Sequence, residues 1–307
     1  MFGSSKSAPS SSVPRRTLLR GALGAATAFG ALRSYGLAAS LEEEGHGTGA
    51  TKGRIQQSLV SWCFEEYWSI EQMCQLAVQL GMKSVELVAP GDFPVLKKHG
   101  LVCAIAASHS FTQGMSRLEY QGKCIRQIRQ AIDTCAEHGF PSVITFTGCA
   151  EGLSREEGLK NCVEGYKKII GYAEEKKVNV CLEIINSRVG EYMKGQVDYL
   201  GDHTDYVMEI VRKVGSPRFK LLFDIYHVQI MDGDIIARIR QYRDYIGHYH
   251  TAGNPGRHEL DDQQEINYRP IMEEIVKTGY QGYVGQEFMP SRDPLEGLRE
   301  AVLLCDV

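Results

Sequence analysis

Basic residues are not in excess in this 307-residue chain: 34 Lys and Arg stand against 38 Asp and Glu, a formal net charge of −4. A nucleic-acid groove carries a basic face, so no nucleic-acid partner is expected. No apolar run in the sequence approaches the roughly 20 residues of a membrane span. CxxC pairs are absent, and the 9 cysteines are an odd number. Full disulfide pairing within one chain is thereby excluded, and a thiolate zinc site is not expected. Neither GxGxxG nor GxxxxGK[ST] occurs, which removes the usual signal for a dinucleotide or triphosphate loop. What is present is ordinary for a globular protein, 43% hydrophobic and 23% charged, so disordered and collagen-like classes are out.

The first 39 residues form a separate object. Arg15-Arg16-Thr17-Leu18-Leu19-Arg20 precedes 12 uncharged residues, Gly21 to Leu32, and small residues follow at Leu37-Ala38-Ala39. The uncharged stretch is too short to span a bilayer and suits the h-region of an export signal. The paired arginines resemble a twin-arginine signal. That resemblance implies passage through the twin-arginine translocase, a periplasmic or extracytoplasmic location, and no stable membrane span after cleavage. Such export carries folded proteins, so the cysteines, including Cys103, Cys149 and Cys181 in apolar runs, are expected as buried free thiols. Residues 40–53, acidic and Gly-rich, read as a flexible linker.

From residue 54 to 307 two kinds of segment alternate. β-rich runs fall at ~57–64, 84–89, 102–108, 142–148, 179–186, 219–226, 246–252 and 283–289. Helical-period stretches follow them, such as Ile70–Leu80, Tyr120–Glu137 and Gly158–Glu175, with Ile125, Ile128, Ile132 and Cys135 on one stripe. Runs such as Val143-Ile144-Thr145-Phe146 and Lys220-Leu221-Leu222-Phe223 are apolar almost throughout, as in a parallel sheet covered on both faces. Eight such units over about 250 residues predict an α/β fold, a single (β/α)8 TIM barrel; an open doubly wound sheet is the alternative.

A barrel of this kind keeps its chemistry at the C-terminal strand ends. There the last four runs carry Glu183, Asp224, His250 and Glu287, separated by 41, 26 and 37 residues, one strand–helix unit each. Four consecutive strands aim these groups at one mouth. Three carboxylates and an imidazole crowded together repel without a cation. Mixed oxygen and nitrogen ligands suit one divalent metal, Mn²⁺ or Mg²⁺ first, with Co²⁺ or Zn²⁺ open. His227, three residues after Asp224, is expected either to touch substrate or to cap the next helix. Arg257, His258 and Glu259 follow the Gly253-Asn254-Pro255-Gly256 turn and face substrate or water. Glu86 and His109 end the second and third runs and read as lining the site. Trp62 and Phe64 form an apolar wall or pack in the core.

These residues carry a resemblance. The stretches Leu182-Glu183, Ile185-Asn186-Ser187-Arg188, Asp224-Ile225-Tyr226-His227, Gly256-Arg257-His258-Glu259, Glu265-Ile266-Asn267-Tyr268 and Gly285-Gln286-Glu287-Phe288 resemble the sugar phosphate isomerase/epimerase superfamily of xylose isomerase-like barrels, and within it hydroxypyruvate isomerases. Two departures stand out. His250 sits where hydroxypyruvate isomerases usually carry Gln and tagatose-3-epimerase-like relatives carry His, and Gly195–Asp202 lengthens the loop after the fifth run. The resemblance implies an isomerase of a small keto acid or sugar, with Glu183 and Glu287 as the acid/base pair as well as metal ligands, and His227 and Arg257 holding substrate oxygens. Isomerising a hydroxy-carbonyl compound removes a proton beside the carbonyl; one carboxylate accepts it and another returns it, while a divalent cation stabilises the enediolate. A ketose 3-epimerase, or an exported sugar-binding protein that has lost activity, are the alternatives.

Overall fold

The computed structural model describes residues 49, 50 and 52–307. The expected export signal at 1–39 and most of the 40–53 stretch lie outside these residues. At the described end of that stretch, Ala50 N donates to Leu80 O at 2.9 Å. Lys52 N and Gly53 N donate to the two carboxylate oxygens of Asp306 at 2.9 and 3.1 Å, joining the start of the barrel to its C-terminus.

Seven strands are present among the described residues: β1 Gln56–Val60, β2 Ser84–Glu86, β3 Ser142–Thr145, β4 Asn179–Glu183, β5 Phe219–Asp224, β6 Ile246–Thr251 and β7 Tyr283–Gln286. All pair in parallel, in the order β2-β1-β7-β6-β5-β4-β3. The eighth run, expected at 102–108, is not a continuous strand. It contributes isolated bridges, Val102 to Ser84 on one side and Ala106 to Val143 on the other. Leu87 N donates to Ile105 O at 3.0 Å and Ala106 N to Ser142 O at 2.9 Å, so this segment still closes the ring between β2 and β3. The ladder breaks because the Ser84 hydroxyl takes the Ala104 N–H at 2.9 Å. Leu87, at φ 57°, ends β2 three residues earlier than the sequence pattern suggests.

Ten α-helices among the described residues surround the sheet: α1 Ile70–Gln79, α2 Phe93–Lys98, α3 Leu118–His138, α4 Arg155–Lys167, α5 Ile170–Lys176, α6 Thr204–Val214, α7 Ile225–Met231, α8 Ile235–Tyr242, α9 Tyr268–Lys277 and α10 Pro294–Cys305. Local sequence sets their ends. Ser69 and Gln72 form a reciprocal capping box at the start of α1, and Gly139 closes α3 in the left-handed conformation, φ 73°. The stripe of α3 is buried at Cys124, Ile128, Ile132 and Cys135, while Ile125 sits at its margin. The single helix expected over Gly158–Glu175 is two, because the chain turns at Lys168–Ile169 and buries both Ile169 and Ile170.

Alternation along the strands divides the apolar residues into two clusters. Val180 and Leu182 of β4 and Phe219, Leu221 and Phe223 of β5 join the large cluster beneath the helices. Ile105, Ile144, Cys181 and Leu222 pack with Phe146 and Ile185 in the smaller one, inside the barrel. All nine cysteines are free and buried, as expected of core thiols. No helix among the described residues is long and apolar enough to cross a membrane.

Candidate active site

Above the inner cluster the strand ends turn polar. Glu183 ends β4, Asp224 ends β5, His250 lies in β6, and Glu287 directly follows β7. Backbone bonds position them: Glu287 N donates to Thr251 O at 2.9 Å, and Asp224 caps α7 by accepting the His227 N–H at 3.0 Å. Each of the four offers one ligand atom, and these atoms all lie within 4.8 Å of one another. His250 Nδ1 stands between the glutamates, 3.3 Å from Glu183 Oε1 and 2.8 Å from Glu287 Oε2.

The two glutamates differ in their partners. Glu287 Oε1 accepts from Trp62 Nε1 at 3.0 Å, and its Oε2 meets Arg257 Nη2 at 2.5 Å. Burial works against its charge, but Arg257 and then His250 outweigh burial and hold its carboxyl well below the usual range. Glu183 shares His250 with Glu287, at the longer 3.3 Å, but among the described residues has no guanidinium bonded to it. Burial, with repulsion from Glu287, raises its pKa despite the His250 bond. Burial also pushes Asp224 up to about 7, although Arg257 pulls the other way from 3.5 Å. His250 holds its proton well above the ordinary range because Glu287 and Glu183 overcome its burial. His227 is driven the other way by burial and by Arg257.

The donor set fits a divalent cation: three carboxylate oxygens and one imidazole nitrogen converge in a buried site, and no thiolate is present. Burial first, and repulsion from Glu287 after it, raise Glu183 and Asp224, and a bound cation would offset both by favouring the ionised carboxylates.

A cavity of about 340 Å³ opens over this cluster, at the small end for a small-molecule cleft. Glu183, Glu287, His227 and Arg257 line its polar part, with Leu87, Phe111, Ile144, Phe146 and Ile185 on the apolar part. His227, one of two alternatives in the sequence, both borders the cavity and lies inside α7 just after the cap. Arg257 points inward, whereas Glu259 turns away to hold Ser291 N and Oγ at 2.8 and 2.7 Å. His258 bonds Met289 O at 2.9 Å. Trp62 lines the cavity, and Phe64 is core, stacked on Trp68 at 5.2 Å. His109 borders the cavity with both ring nitrogens engaged: Nδ1 by the Ser110 and Gln113 carbonyls, Nε2 by Thr145 Oγ1 at 2.8 Å. Glu86 lies a layer deeper, fully buried and bonded to His248 and His250 rather than bordering the cavity.

Sequence reasoning did not find the roof. Asn186 Oδ1 accepts Val189 N at 2.9 Å, its Nδ2 donates to Lys194 O at 2.8 Å, and it contacts His227 Nδ1 at 2.7 Å. This folds the loop after β4 over the cavity, where Met193 and Gly195 line it and Arg257 holds the Met193 carbonyl. An Asn three residues beyond an apolar strand was the available signal.

Residues 74–305 match the xylose isomerase-like TIM barrel family. The chain belongs to that family. It is 38% identical over 256 residues to a putative hydroxypyruvate isomerase of Xenopus laevis, covering 78% of this chain and 91% of the relative. It is 33% identical over 244 residues to the putative hydroxypyruvate isomerase of Homo sapiens, covering 78% and 81%. A 2-oxo-tetronate isomerase of Haemophilus influenzae is 28% identical over 245 residues, covering 73% and 89%. Among solved structures, an AP endonuclease family 2 protein of Brucella melitensis superposes with TM-score 0.69 at 25% identity, covering 80% of this chain and 97% of that one. A 3-keto-D-glucoside 4-epimerase of E. coli shares the fold, with TM-score 0.69 at 16% identity and coverage of 82% and 98%. The protein is thus an enzyme of the isomerase class, built on a (β/α)8 scaffold.

Proposed function

We propose that the enzyme isomerises a small hydroxy-carbonyl compound of the hydroxypyruvate type by proton transfer between Glu183 and Glu287, with one divalent cation, Mn²⁺ or Mg²⁺ first, held by Glu183, Asp224, His250 and Glu287. The observation that carries this reading is the placement of two glutamates on the wall of one small cavity, on either side of His250. When bound, the cation supplies positive charge that stabilises an enediolate form of the substrate. One glutamate takes the proton from the hydroxyl-bearing carbon beside the carbonyl, the other delivers a proton to the former carbonyl carbon, and the hydroxyl proton passes to the former carbonyl oxygen, so that the product is an isomer of the substrate. Arg257 and His227, buried at the cavity edge, orient substrate oxygens, and the apolar wall of Phe111 and Phe146 keeps water from the reacting carbons. The relatives' names point to short keto acids, and Arg257 is the cation available to such an acid among the residues lining the cavity.

A second reading, a ketose 3-epimerase, rests on His250, the residue that tagatose-3-epimerase-like relatives carry. It uses the same two glutamates but returns the proton to the opposite face of the same carbon. A screen of Mn²⁺-loaded protein over short keto acids and ketoses separates the readings by product. Turnover of hydroxypyruvate or a 2-oxo-tetronate supports the first, ketose epimers support the second, and turnover of neither class contradicts both.

Export through the twin-arginine route remains part of the proposal. Replacing Arg15 and Arg16 together with Lys should leave the precursor in the cytoplasm, and unchanged export by cell fractionation would contradict it.

A further inference from the structure

Behind the cluster, inside the barrel, a third shared contact stands out. Glu86 Oε1 meets both His248 Nε2 and His250 Nε2, each at 2.9 Å. The two imidazoles stand nearly perpendicular, 89° apart with ring centres 5.0 Å apart. Glu86 ends β2, whereas both histidines belong to β6, and in the sheet β1 and β7 lie between those strands. The carboxylate therefore reaches across the barrel interior. It does so past Gly285 of β7, where any Cβ would stand 2.5 Å from Glu86 Oε1 and 2.9 Å from His250 Cδ2. A side chain at 285 would collide with the bond itself.

Stability alone is a poor account of this arrangement. Glu86 is fully buried, and its Oε2 has no hydrogen-bond partner. An orphaned buried oxygen loses its hydration with no bond to replace it. A Gln at 86 would fill the same space with less desolvation. What only a carboxylate does is accept from two donors with one oxygen and offer no hydrogen in return.

We propose that Glu86 is a positioning residue: it holds the Nε2–H of His250 and thereby turns Nδ1, with its lone pair, toward the cation site formed with Glu183, Asp224 and Glu287. The imidazole reaches that site only through Nδ1, the atom 2.8 Å from Glu287 Oε2, so in the cation-bound enzyme the ring proton belongs on Nε2. Glu86 is the acceptor that keeps it there and prevents the ring from flipping. Carboxylate support of this kind behind a metal-binding histidine typically changes affinity by about 10–100-fold. His248 holds the same oxygen from the other side and limits its rotation. The proposal rests on the reading of the four-residue cluster as a cation site.

The test is titration of Mn²⁺ alone into purified full chain by calorimetry, for the unaltered protein, Glu86→Gln and His248→Gln, with circular dichroism and Tm recorded for each. Glu86→Gln should weaken Mn²⁺ binding by about 10–100-fold with the fold retained. His248→Gln, which leaves the Glu86–His250 bond and can still donate to Glu86, should weaken it less. Equal Mn²⁺ affinity in unaltered and folded Glu86→Gln protein overturns the proposal while leaving the cation site standing. No Mn²⁺ binding by the unaltered protein overturns both. Two equivalents of Mn²⁺ per chain, one lost with Glu86, would make Glu86 a ligand of its own site and also overturns the proposal. Independently of whether the variants fold, long-range ¹H–¹⁵N correlation spectra of unaltered Zn²⁺-loaded protein should show His250 protonated at Nε2. A proton on Nδ1 would contradict the proposal.

Discussion

Phe223 and Asp224 are neighbours in β5, yet they belong to two layers with opposite physics. Phe223 is fully buried in the cluster under the helices, packed edge-on against Tyr249 at 5.9 Å. Asp224 points the other way into the barrel mouth, where burial and nearby carboxylates push it up to about 7. The outer face of the sheet is dry and apolar and carries the stability. The inner end is buried and charged, and ionising Glu183 and Asp224 there works against stability. The two can coexist because a strand sends alternate side chains to opposite faces, so a change on one face leaves the other nearly intact.

The largest expected effect is on the inner face. Glu183→Gln and Glu287→Gln should each lower kcat by about 10²–10⁴, since Gln offers the cation an oxygen but cannot accept the proton. Steady-state kinetics at saturating Mn²⁺ checks this. Activity restored by excess metal in both variants would reduce the pair to ligands.

Next come the neighbours in β5. Phe223→Ala should cost about 3–5 kcal/mol of stability in urea unfolding, with Mn²⁺ stoichiometry unchanged. Asp224→Ala should lose Mn²⁺ by elemental analysis, while its unfolding free energy changes by less than about 2 kcal/mol, the scale of a lost helix cap. The reverse pattern would erase the distinction between the layers.

A smaller effect concerns pH. The folded, metal-free Asp224 has a pKa raised to about 7 from an ordinary 3.8. Its contribution is therefore fully present below the ordinary value and lost as pH rises through about 7. The metal-free protein should lose stability across that window. Added Mn²⁺, which needs the ionised carboxylate, should raise Tm more at pH 8 than at pH 5. Equal shifts at both pH values would show that Asp224 does not bind the ion.

The sequence made the half of the barrel from β4 to β7 legible and the other half less so. Glu183, Asp224, His250 and Glu287 stood out because each interrupts an apolar run at a regular interval, and the structure brings all four together. The run at 102–108 was apolar and β-rich, yet a single serine hydroxyl, Ser84, draws off the Ala104 N–H and breaks the ladder. Pattern reasoning cannot see a side chain from another strand. Glu86 misled for the same reason. A carboxylate at a strand end looks like a cavity residue until His248 and His250, more than 160 positions away, are found on it. The roof needed Asn186 and its bonds to the loop, which no periodicity encodes.

Turnover in deuterated water tests the central claim most directly. With Mn²⁺-loaded enzyme and a short hydroxy-keto acid, the two-glutamate account predicts solvent deuterium in the product, at the carbon that receives the proton. Glu183→Gln and Glu287→Gln should differ in the substrate direction from which slow exchange survives. Product formed at full rate with no deuterium incorporated, in the unaltered enzyme and from either direction, would contradict proton transfer through Glu183 and Glu287.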